Sequence, residues 1–323
     1  MNNIDYFNIK TILPYDKTFN LVIGGRGCGK TYSTKIFVLT EFLKNRSTFV
    51  WLRNSEDEVK KLCSNNFFNF FADIKNNEKI KDIQKIEKNK NHLNINGKLA
   101  GQFLSLSEFA KIKGNSYSNT FLIFDEFIEE KNQRRYYDRV YAFKSVLESI
   151  FRLRQRYKVI MLSNAITRSD LILNLFNFNF KNHGIYQNRQ KDAVLFFLEN
   201  TENFERAKKL TPISRLESQE AVALDNNTFE DQSWLLKEDI LKKTPLLSLE
   251  CIGHTGIMYS YEGGLFFQIE NRRVKNHYTL TVTPQGEFAD RNLLEFLKDN
   301  YIKKQIKFRD YTALGVFLYF VQS

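Results

Sequence analysis

A glycine-rich segment constrains the fold of this 323-residue chain more than any other feature. The segment fits the pattern G-x-x-x-x-G-K-[ST] at every position. Its residues are Gly24, Gly25, Arg26, Gly27, Cys28, Gly29, Lys30 and Thr31. An apolar run at residues 19–23 precedes it, and apolar residues at helical spacing follow it from Tyr32 to Leu43. A strand, a tight loop and a helix in this order predict a phosphate-binding P-loop.

The residue types in this loop suit a nucleotide with its metal ion. Glycines allow the backbone N–H groups to turn inward around phosphate oxygens, and the helix N-terminus adds a favourable dipole. Lys30 is expected to reach the β- and γ-phosphates, and the Thr31 hydroxyl is expected to bind Mg²⁺. We therefore expect ATP and Mg²⁺ as ligands. The alternative is a glycine-rich turn before a helix, with no ligand.

A second apolar run, residues 121–124, ends in two carboxylates. The carboxyl end of a buried strand is where a metal-binding acid belongs in a parallel sheet. We assign Asp125 to the metal and Glu126 to the orientation and deprotonation of the attacking water. A plain exit from a strand into a loop is the alternative.

Polar and basic residues surround a third apolar run, residues 159–162. Asn164 follows this run, where its amide could sense the γ-phosphate or hold the water, or could instead cap the next helix. Arg152, Arg154 and Arg156 precede it, with Arg152 and Arg156 on one face of an expected helix. Arg152 is our first candidate for an arginine finger that reaches a neighbouring subunit, with Arg154 and Arg156 as further candidates. A solvated basic helix end is the alternative.

The overall pattern predicts an α/β fold in two domains. Through about residue 165, β-rich runs alternate with helical patterns, which is typical of a parallel sheet covered by helices. We assign residues 1–198 to the P-loop domain, 199–232 to a linker or small connecting subdomain, and 233–323 to a smaller, β-rich C-terminal domain. We expect residues 75–90 to form a surface loop or hairpin. At the end of the chain we expect a helix at 291–304, followed by a strand-like run.

Charge and cysteine content indicate the type of partner and the compartment. Lys and Arg number 48 against 37 Asp and Glu, which gives a net charge of +11. This excess favours a polyanionic partner, nucleic acid first and an anionic membrane surface second. The three cysteines form no CxxC pair, which suits reduced thiols in a cytoplasmic compartment. The longest apolar stretch near either end, residues 314–321, is too short to cross a bilayer. Of the two polyanionic partners we expect nucleic acid and no membrane.

The motifs IGGRGCGKTYSTK, FLIFDEFIEEK, FRLRQR and MLSNA, in this order, resemble those of the genome-packaging (encapsidation) ATPases of small short-tailed phages. That family belongs to the additional-strand, catalytic-glutamate division of P-loop NTPases and is related to terminases and FtsK/HerA-like DNA translocases. The resemblance covers about residues 10–166. Arg26, Glu126 and Arg152 match its P-loop arginine, catalytic glutamate and trans-acting finger.

The resemblance also implies partners and a location. It implies a homopentameric ring on a capsid portal, with a structural RNA as adaptor in some members, and a C-terminal domain like a degenerate RNase H nuclease. We expect the protein in the host cytoplasm, transiently docked on the procapsid vertex and absent from the mature virion. No convincing cluster of acidic strand ends supports nuclease activity.

These observations predict an ATP-driven motor that translocates double-stranded viral DNA into a preformed capsid. One alternative with the same chemistry is a ring helicase or a conjugative DNA pump. A second alternative is a nucleotide-gated, nucleic-acid-binding switch without sustained turnover. Glu126 speaks against the switch, because a switch needs no dedicated activator of water.

Overall fold

The computed structural model describes thirteen stretches of the chain, which form two compact units. The stretches are residues 6–112, 120–128, 138–154, 156–165, 167–180, 182–212, 243–251, 254–261, 264–270, 272, 274–279, 291–303 and 305–322. The first unit contains a nine-stranded sheet and the second a five-stranded sheet.

The first unit takes its strands from the first two thirds of the chain. They are β1 (Phe19–Gly24), β2 (Phe49–Arg53), β3 (Ile86–Asn89), β4 (His92–Ile95), β5 (Lys98–Ser105), β6 (Phe121–Asp125), β7 (Lys158–Asn164), β8 (Gly184–Gln187) and β9 (Ala193–Phe197). Its helices are α1 (Lys30–Asn45), α2 (Glu56–Phe71), α3 (Phe109–Ile112), α4 (Arg139–Phe151) and, numbered after a short helix of the second unit, α6 (Glu202–Lys209).

The order of strands in this sheet is β3-β4-β5-β2-β6-β7-β1-β9-β8. The strands from β5 to β9 in this order are parallel to one another, and β3, β4 and β8 are antiparallel to their neighbours. Because parallel strands end at the same edge, Gly24, Arg53, Asp125 and Asn164 lie at one edge of the sheet. Strand β7 lies between the P-loop strand β1 and the acidic strand β6. It is the additional strand that the resemblance implies.

Burial on both faces accounts for the continuous apolar runs of the central strands. Every residue of β6 is buried, as is every residue of β9. Trp51, Phe70 and Phe103 pack edge-to-face at one side of the sheet, with Phe49 beside them. Edge-to-face packing is the favourable arrangement of aromatic rings, so this cluster fixes β2 and β5 against α2.

The second unit contains the smaller sheet, whose order is β13-β10-β11-β12-β14. Its strands are β10 (Thr244–Cys251), β11 (His254–Tyr261), β12 (Gly264–Ile269), β13 (His277–Thr279) and β14 (Ile306–Phe308). Its helices are α5 (Leu171–Asn174), α7 (Arg291–Ile302) and α8 (Tyr311–Gln322). Leu249, Met258 and Phe267 from the sheet pack against Leu297 of α7 and Phe317 of α8 in one apolar core.

The α/β fold with a smaller second sheet domain is confirmed, but three local predictions need correction. The strand-like run at the end of the chain contains only β14, and the apolar residues after it form α8. Strands β8 and β9 are absent from our sequence prediction. Helix α4 ends at Phe151, so Arg152 and Arg156 do not share a helical face. The segment at 75–90, expected as a surface loop or hairpin, contains β3 at its end, and β3 pairs with the following β4 in a hairpin that extends the large sheet.

Two predictions about organisation remain predictions. The connecting segment at 199–232 contains α6, and its residues from 213 onward lie outside the described part of the chain. The RNase H-like character of the second domain also stays a prediction. Among the described residues, no helix is long and apolar enough to cross a membrane.

The close packing at Gly315 predicts how a substitution there changes the stability of the second unit. A Cβ atom at this position would lie 2.0 Å from the backbone oxygen of Ser169, so α8 approaches that backbone too closely for a side chain. We expect Gly315→Ala to lower the free energy of unfolding by about 1–3 kcal/mol, the usual range for overpacking. Urea unfolding measures this change. Thr312→Ala, at a half-buried position of the same helix, is the control, and an equal or smaller effect of Gly315→Ala contradicts the prediction.

Candidate nucleotide-binding site

The P-loop owes its shape to two glycines in the left-handed region. Gly27 has φ +85° and Gly29 has φ +94°, conformations that L-residues rarely adopt. Gly29 immediately precedes α1, and Gly24 at the start of the loop pairs with Asn164 of β7. The loop therefore leads from the carboxyl edge of the sheet directly into a helix N-terminus, which is a favourable environment for an anion.

The Lys30 ammonium is buried under this loop. Its Nζ donates to the carbonyl oxygens of Gly24 at 3.0 Å and Gly25 at 2.8 Å, and to Oδ1 of Asn164 at 3.2 Å. Burial lowers the pKa of Lys30, and the nearby Cys28 thiol and the carboxylates of Asp125 and Glu126 oppose this effect. A buried ammonium that is held by neutral oxygens forms a stronger, charge-assisted hydrogen bond when an anionic phosphate oxygen becomes its partner.

Asp125 lies beside the P-loop and is almost fully buried. Its Oδ1 accepts a hydrogen bond of 3.0 Å from the Thr31 hydroxyl, and its Oδ2 accepts one of 2.8 Å from Nη1 of Arg53. The hydroxyl of Thr31 and the carboxylate of Asp125 are both hard oxygen donors, which Mg²⁺ prefers. These two residues therefore fit a magnesium ion that accompanies a phosphate chain.

Arg53, the last residue of β2, binds three carboxylates. Besides Asp125, it contacts Oε2 of Glu126 through Nη2 at 2.5 Å and Oε2 of Glu58 through Nε at 3.1 Å. Burial alone would lower the pKa of Arg53, but the charges of the three carboxylates outweigh it and raise that pKa above its ordinary value. Arg53 therefore stays charged, and it orients both predicted acids.

The backbone of Glu126 adopts an unusual conformation. Its φ is +59°, in a region that costs a non-glycine residue of the order of 1–3 kcal/mol. Asn54 donates to the Glu126 carbonyl at 2.6 Å, and the N–H of Phe127 donates to the carbonyl of Leu162 at 3.1 Å. Buried Arg139 donates to the side chain of Asn54 and to the carbonyl of Phe127. This network holds the turn so that the half-exposed Glu126 side chain borders the site.

These residues enclose one cavity of about 270 Å³. Its lining consists of Arg26, Gly27, Gly29, Lys30, Thr31, Tyr32, Asp73, Asp125, Glu126, Leu162, Ser163 and Asn164. Asp73 is held by Lys35 of α1 through a contact of 2.9 Å. The cavity unites the loop, both predicted acids and Asn164. Its cradle of loop and helix N-terminus fits a phosphate chain.

The structure places the remaining predicted residues in different surroundings. Asn164 lines the cavity and contacts Lys30, and Asp170 rather than Asn164 caps the next helix, α5. The capping alternative for Asn164 is therefore wrong. The Cys28 sulfur lies 3.6 Å from Nζ of Lys30, and Gly25 lies against Asn200. Arg152 and Arg154 are exposed after the end of α4, and neither belongs to the described lining of the cavity.

Sequence reasoning missed several residues of the site. The residues that were not among our candidates are Tyr32, Arg53, Asn54, Glu58, Asp73 and Arg139. The signal for Arg53 was present, because it is a polar residue at the carboxyl end of a buried strand, as Asp125 is. Arg139 lies within a helix, and no pattern in the sequence shows that it supports the turn at Glu126.

The fold and the site define a class of protein. A P-loop after β1, an acidic pair at the carboxyl end of β6 and a strand between β1 and β6 are the features of additional-strand P-loop NTPases. Within this class, the family model of the podovirus DNA encapsidation protein (Gp16) matches residues 1–307. The chain belongs to this family of DNA packaging proteins. This finding confirms the predicted role in phage genome packaging and gives no support to a helicase or a conjugative pump.

Individual relatives agree with this assignment. The DNA packaging protein of Bacillus phage phi29 is 29% identical over 307 residues, which cover 92% of this chain and 88% of the relative. The DNA packaging protein of Bacillus phage B103 is 36% identical over 160 residues, which cover 48% of this chain and 47% of that relative. The solved Phi-28 gp11 DNA packaging motor shares the fold, with a TM-score of 0.70 at 19% identity over 99% of each chain.

The ion pairs of Arg53 predict how a substitution of this residue changes the free energy of unfolding. Removing one partner of a buried ion pair leaves the other charge uncompensated, which costs roughly 3–5 kcal/mol. We expect a loss of about this size for Arg53→Met, and a smaller one for Arg53→Lys, because one ammonium reproduces fewer of the three contacts. Urea unfolding measures both. The control is Arg206→Met, which breaks an exposed pair with Glu202 and should cost about 1 kcal/mol or less. Similar losses for Arg53→Met and Arg206→Met would exclude the role that we give to Arg53.

Proposed function

We propose that the chain binds ATP with Mg²⁺ at this site, hydrolyses the nucleotide and uses the energy to translocate double-stranded DNA into a capsid. One observation carries the proposal. The Thr31 hydroxyl and the Asp125 carboxylate meet beside the buried Lys30 ammonium, with Glu126 at the border of the same cavity. One cavity therefore contains oxygen ligands for a metal, a cation for phosphate and a candidate base.

Each residue then has a distinct task in the reaction. Lys30 binds the β- and γ-phosphate oxygens, and Asn164 holds the Lys30 ammonium in position through its side-chain oxygen. Thr31 and Asp125 would hold Mg²⁺, which neutralises charge on the phosphates. Arg26 lines the cavity from the P-loop and adds a further positive charge toward the nucleotide.

Glu126 orients the attacking water and accepts its proton. An arginine partner favours the ionised form of a carboxylate and so makes it a weaker base. Glu126 is therefore a stronger base when its carboxylate turns away from Arg53 toward the water. Arg53 keeps Asp125 and Glu58 as partners when Glu126 turns, so the metal ligand stays oriented.

The relatives support a proposal about assembly. The solved phi29 relative is described as part of a viral genome packaging motor assembly, with a TM-score of 0.64 at 24% identity over 99% of this chain and all of that one. We propose that this chain likewise forms a ring, a homopentamer, docked on a capsid portal in the host cytoplasm and absent from the mature virion. A structural RNA adaptor remains part of the proposal. Residues 1–198 would drive the motor, and 233–323 would contact nucleic acid.

Two substitutions separate nucleotide binding from hydrolysis. Lys30→Ala should abolish tight binding of Mg·ATP, because the cation that faces the phosphates is lost. Glu126→Gln should retain Mg·ATP but lower turnover by about 10²–10⁴-fold, because an amide cannot accept the proton of the water. Nucleotide affinity and phosphate release are the two measurements. Glu78→Gln, at an exposed position in the same unit, is the control. Near-normal turnover by Glu126→Gln removes the role of Glu126 as the base.

The net charge of +11 predicts how the protein binds DNA. Contacts from Lys and Arg to phosphates release counterions, so affinity for duplex DNA should fall by roughly tenfold or more between about 50 and 200 mM salt. Phosphate contacts carry no sequence information, so unrelated duplexes should bind with similar affinity. Fluorescence anisotropy over a salt series measures both properties. A flat dependence on salt, or strong preference for one short sequence, is the contrary result.

A further inference from the structure

Positive charge is concentrated at one edge of the large sheet. We call residues 75–98, which contain β3, β4 and the turns around them, the lysine segment. It has seven lysines, no arginine and three carboxylates, so it carries four of the eleven net positive charges of the chain. All seven lysines are exposed. They are Lys75, Lys79, Lys81, Lys85, Lys88, Lys90 and Lys98.

Carboxylates of the lysine segment neutralise only two of these charges. Nζ of Lys85 lies 2.8 Å from Glu87, and Nζ of Lys81 lies 3.9 Å from Glu78. The other five lysines form no ion pair with any residue that the structure describes. One such lysine is ordinary on a protein surface, but five of them in one segment create a positive potential that attracts a polyanion.

Protection of the sheet edge does not account for this charge. Lysines on an edge strand prevent pairing with another sheet, and β3 is the edge strand on this side. Lys88 lies in β3 and suits that role. Lys75 and Lys79 lie outside any strand, and Lys98 begins β5, which is an interior strand. The charge therefore extends further than the protection of one edge requires.

The backbone of the lysine segment is held in place. The side-chain oxygen of Asn96 accepts hydrogen bonds from the N–H groups of Gln84 at 3.0 Å and Lys85 at 2.9 Å. The side-chain nitrogen of Asn96 donates to the carbonyl of Asp82 at 2.9 Å. Leu93 of β4 is fully buried in the core of the first unit. A surface with a fixed backbone loses less conformational entropy when it binds a partner.

The lysine segment adjoins the wall of the nucleotide cavity. Asp73, which lines the cavity, lies two residues before the segment begins. Within the segment, the side chain of Asn77 donates to the hydroxyl of Tyr32 at 2.9 Å, and Tyr32 is another lining residue. Segment and cavity belong to the same compact unit. This connection suits an element that holds DNA during a cycle of nucleotide binding and hydrolysis.

We propose that the lysine segment binds the phosphate backbone of duplex DNA. Lysine is a point charge, and its contacts with phosphate carry no sequence information, as a motor that moves along any sequence needs. Membership of a family of DNA packaging proteins favours DNA over RNA as the polyanion. The inference rests on the proposed function, because it assigns a surface to the DNA that the motor would move.

The length of the lysine segment fits several phosphates. Lys90 and Lys98 lie at the two turns that flank β4, which has four residues, so they are roughly 15 Å apart at about 3.3 Å per residue. Duplex DNA carries one negative charge per about 1.7 Å of its axis, so a stretch of this length presents several charges to the lysines.

The test removes two charges from the segment and measures duplex DNA binding by fluorescence anisotropy over a salt series. Lys88→Gln/Lys90→Asn should lower the affinity at least about tenfold near 50 mM salt, and should lower the slope of log affinity against log salt by about 2, since each phosphate contact contributes about 0.9. Asn tolerates the φ of +54° at position 90 better than Lys does, so the midpoint of urea unfolding should not fall at this turn.

The matched control removes the same charge elsewhere on the first unit. Lys44→Gln/Lys191→Asn alters two exposed lysines outside the lysine segment, and Lys191, in the turn between β8 and β9, has a φ of +59° that matches the backbone at Lys90. This control should leave the affinity and the salt slope much closer to those of the unaltered protein. The same four measurements with duplex RNA of the same sequence identify the type of polyanion.

The outcomes separate this inference from the proposed function. Unchanged DNA binding by Lys88→Gln/Lys90→Asn, or an equal loss in the control, overturns the lysine segment as the binding surface. A loss of affinity for duplex RNA but not for duplex DNA overturns it as well. If the unaltered protein hydrolyses ATP but binds no duplex DNA, DNA translocation fails as the function. If it binds DNA and the two double variants behave alike, only the assignment of the surface fails.

Discussion

The ion pair between Arg53 and Asp125 is the interaction on which the rest of the site depends. It joins the ends of β2 and β6, and it directs the other oxygen of Asp125 toward Thr31 of the P-loop. Because both partners are largely buried, each needs the other to offset the loss of water. The orientation of Asp125, the proposed metal ligand, is therefore fixed within the sheet itself.

The strand order explains why the site lies where it does. Four strands that are neighbours in the sheet, β2, β6, β7 and β1, each end in a residue of the cavity or its support. Strand β7 separates the P-loop from the acids, and its terminal Asn164 fills the space next to Lys30.

Residues close together in the chain made the P-loop and the acidic strand predictable. Gly24 to Thr31 form a loop motif between a strand-like run and a helical pattern, and Asp125 directly follows a short apolar run of β-rich composition. The position of Arg53 at the end of a buried strand was visible in the sequence, but its role comes from β2 lying beside β6, a pairing of distant segments that no local pattern encodes. The final helix α8 was mistaken for a strand because short, continuously apolar runs suit either structure.

The most direct test of the central claim is a high-resolution structure of Glu126→Gln with Mg·ATP. Our account predicts that the ammonium of Lys30 leaves the carbonyls of Gly24 and Gly25 for phosphate oxygens. It also predicts that the metal binds beside Thr31 and Asp125, and that Arg53 still contacts Asp125. A nucleotide bound elsewhere, or a metal held without Thr31 and Asp125, would contradict it.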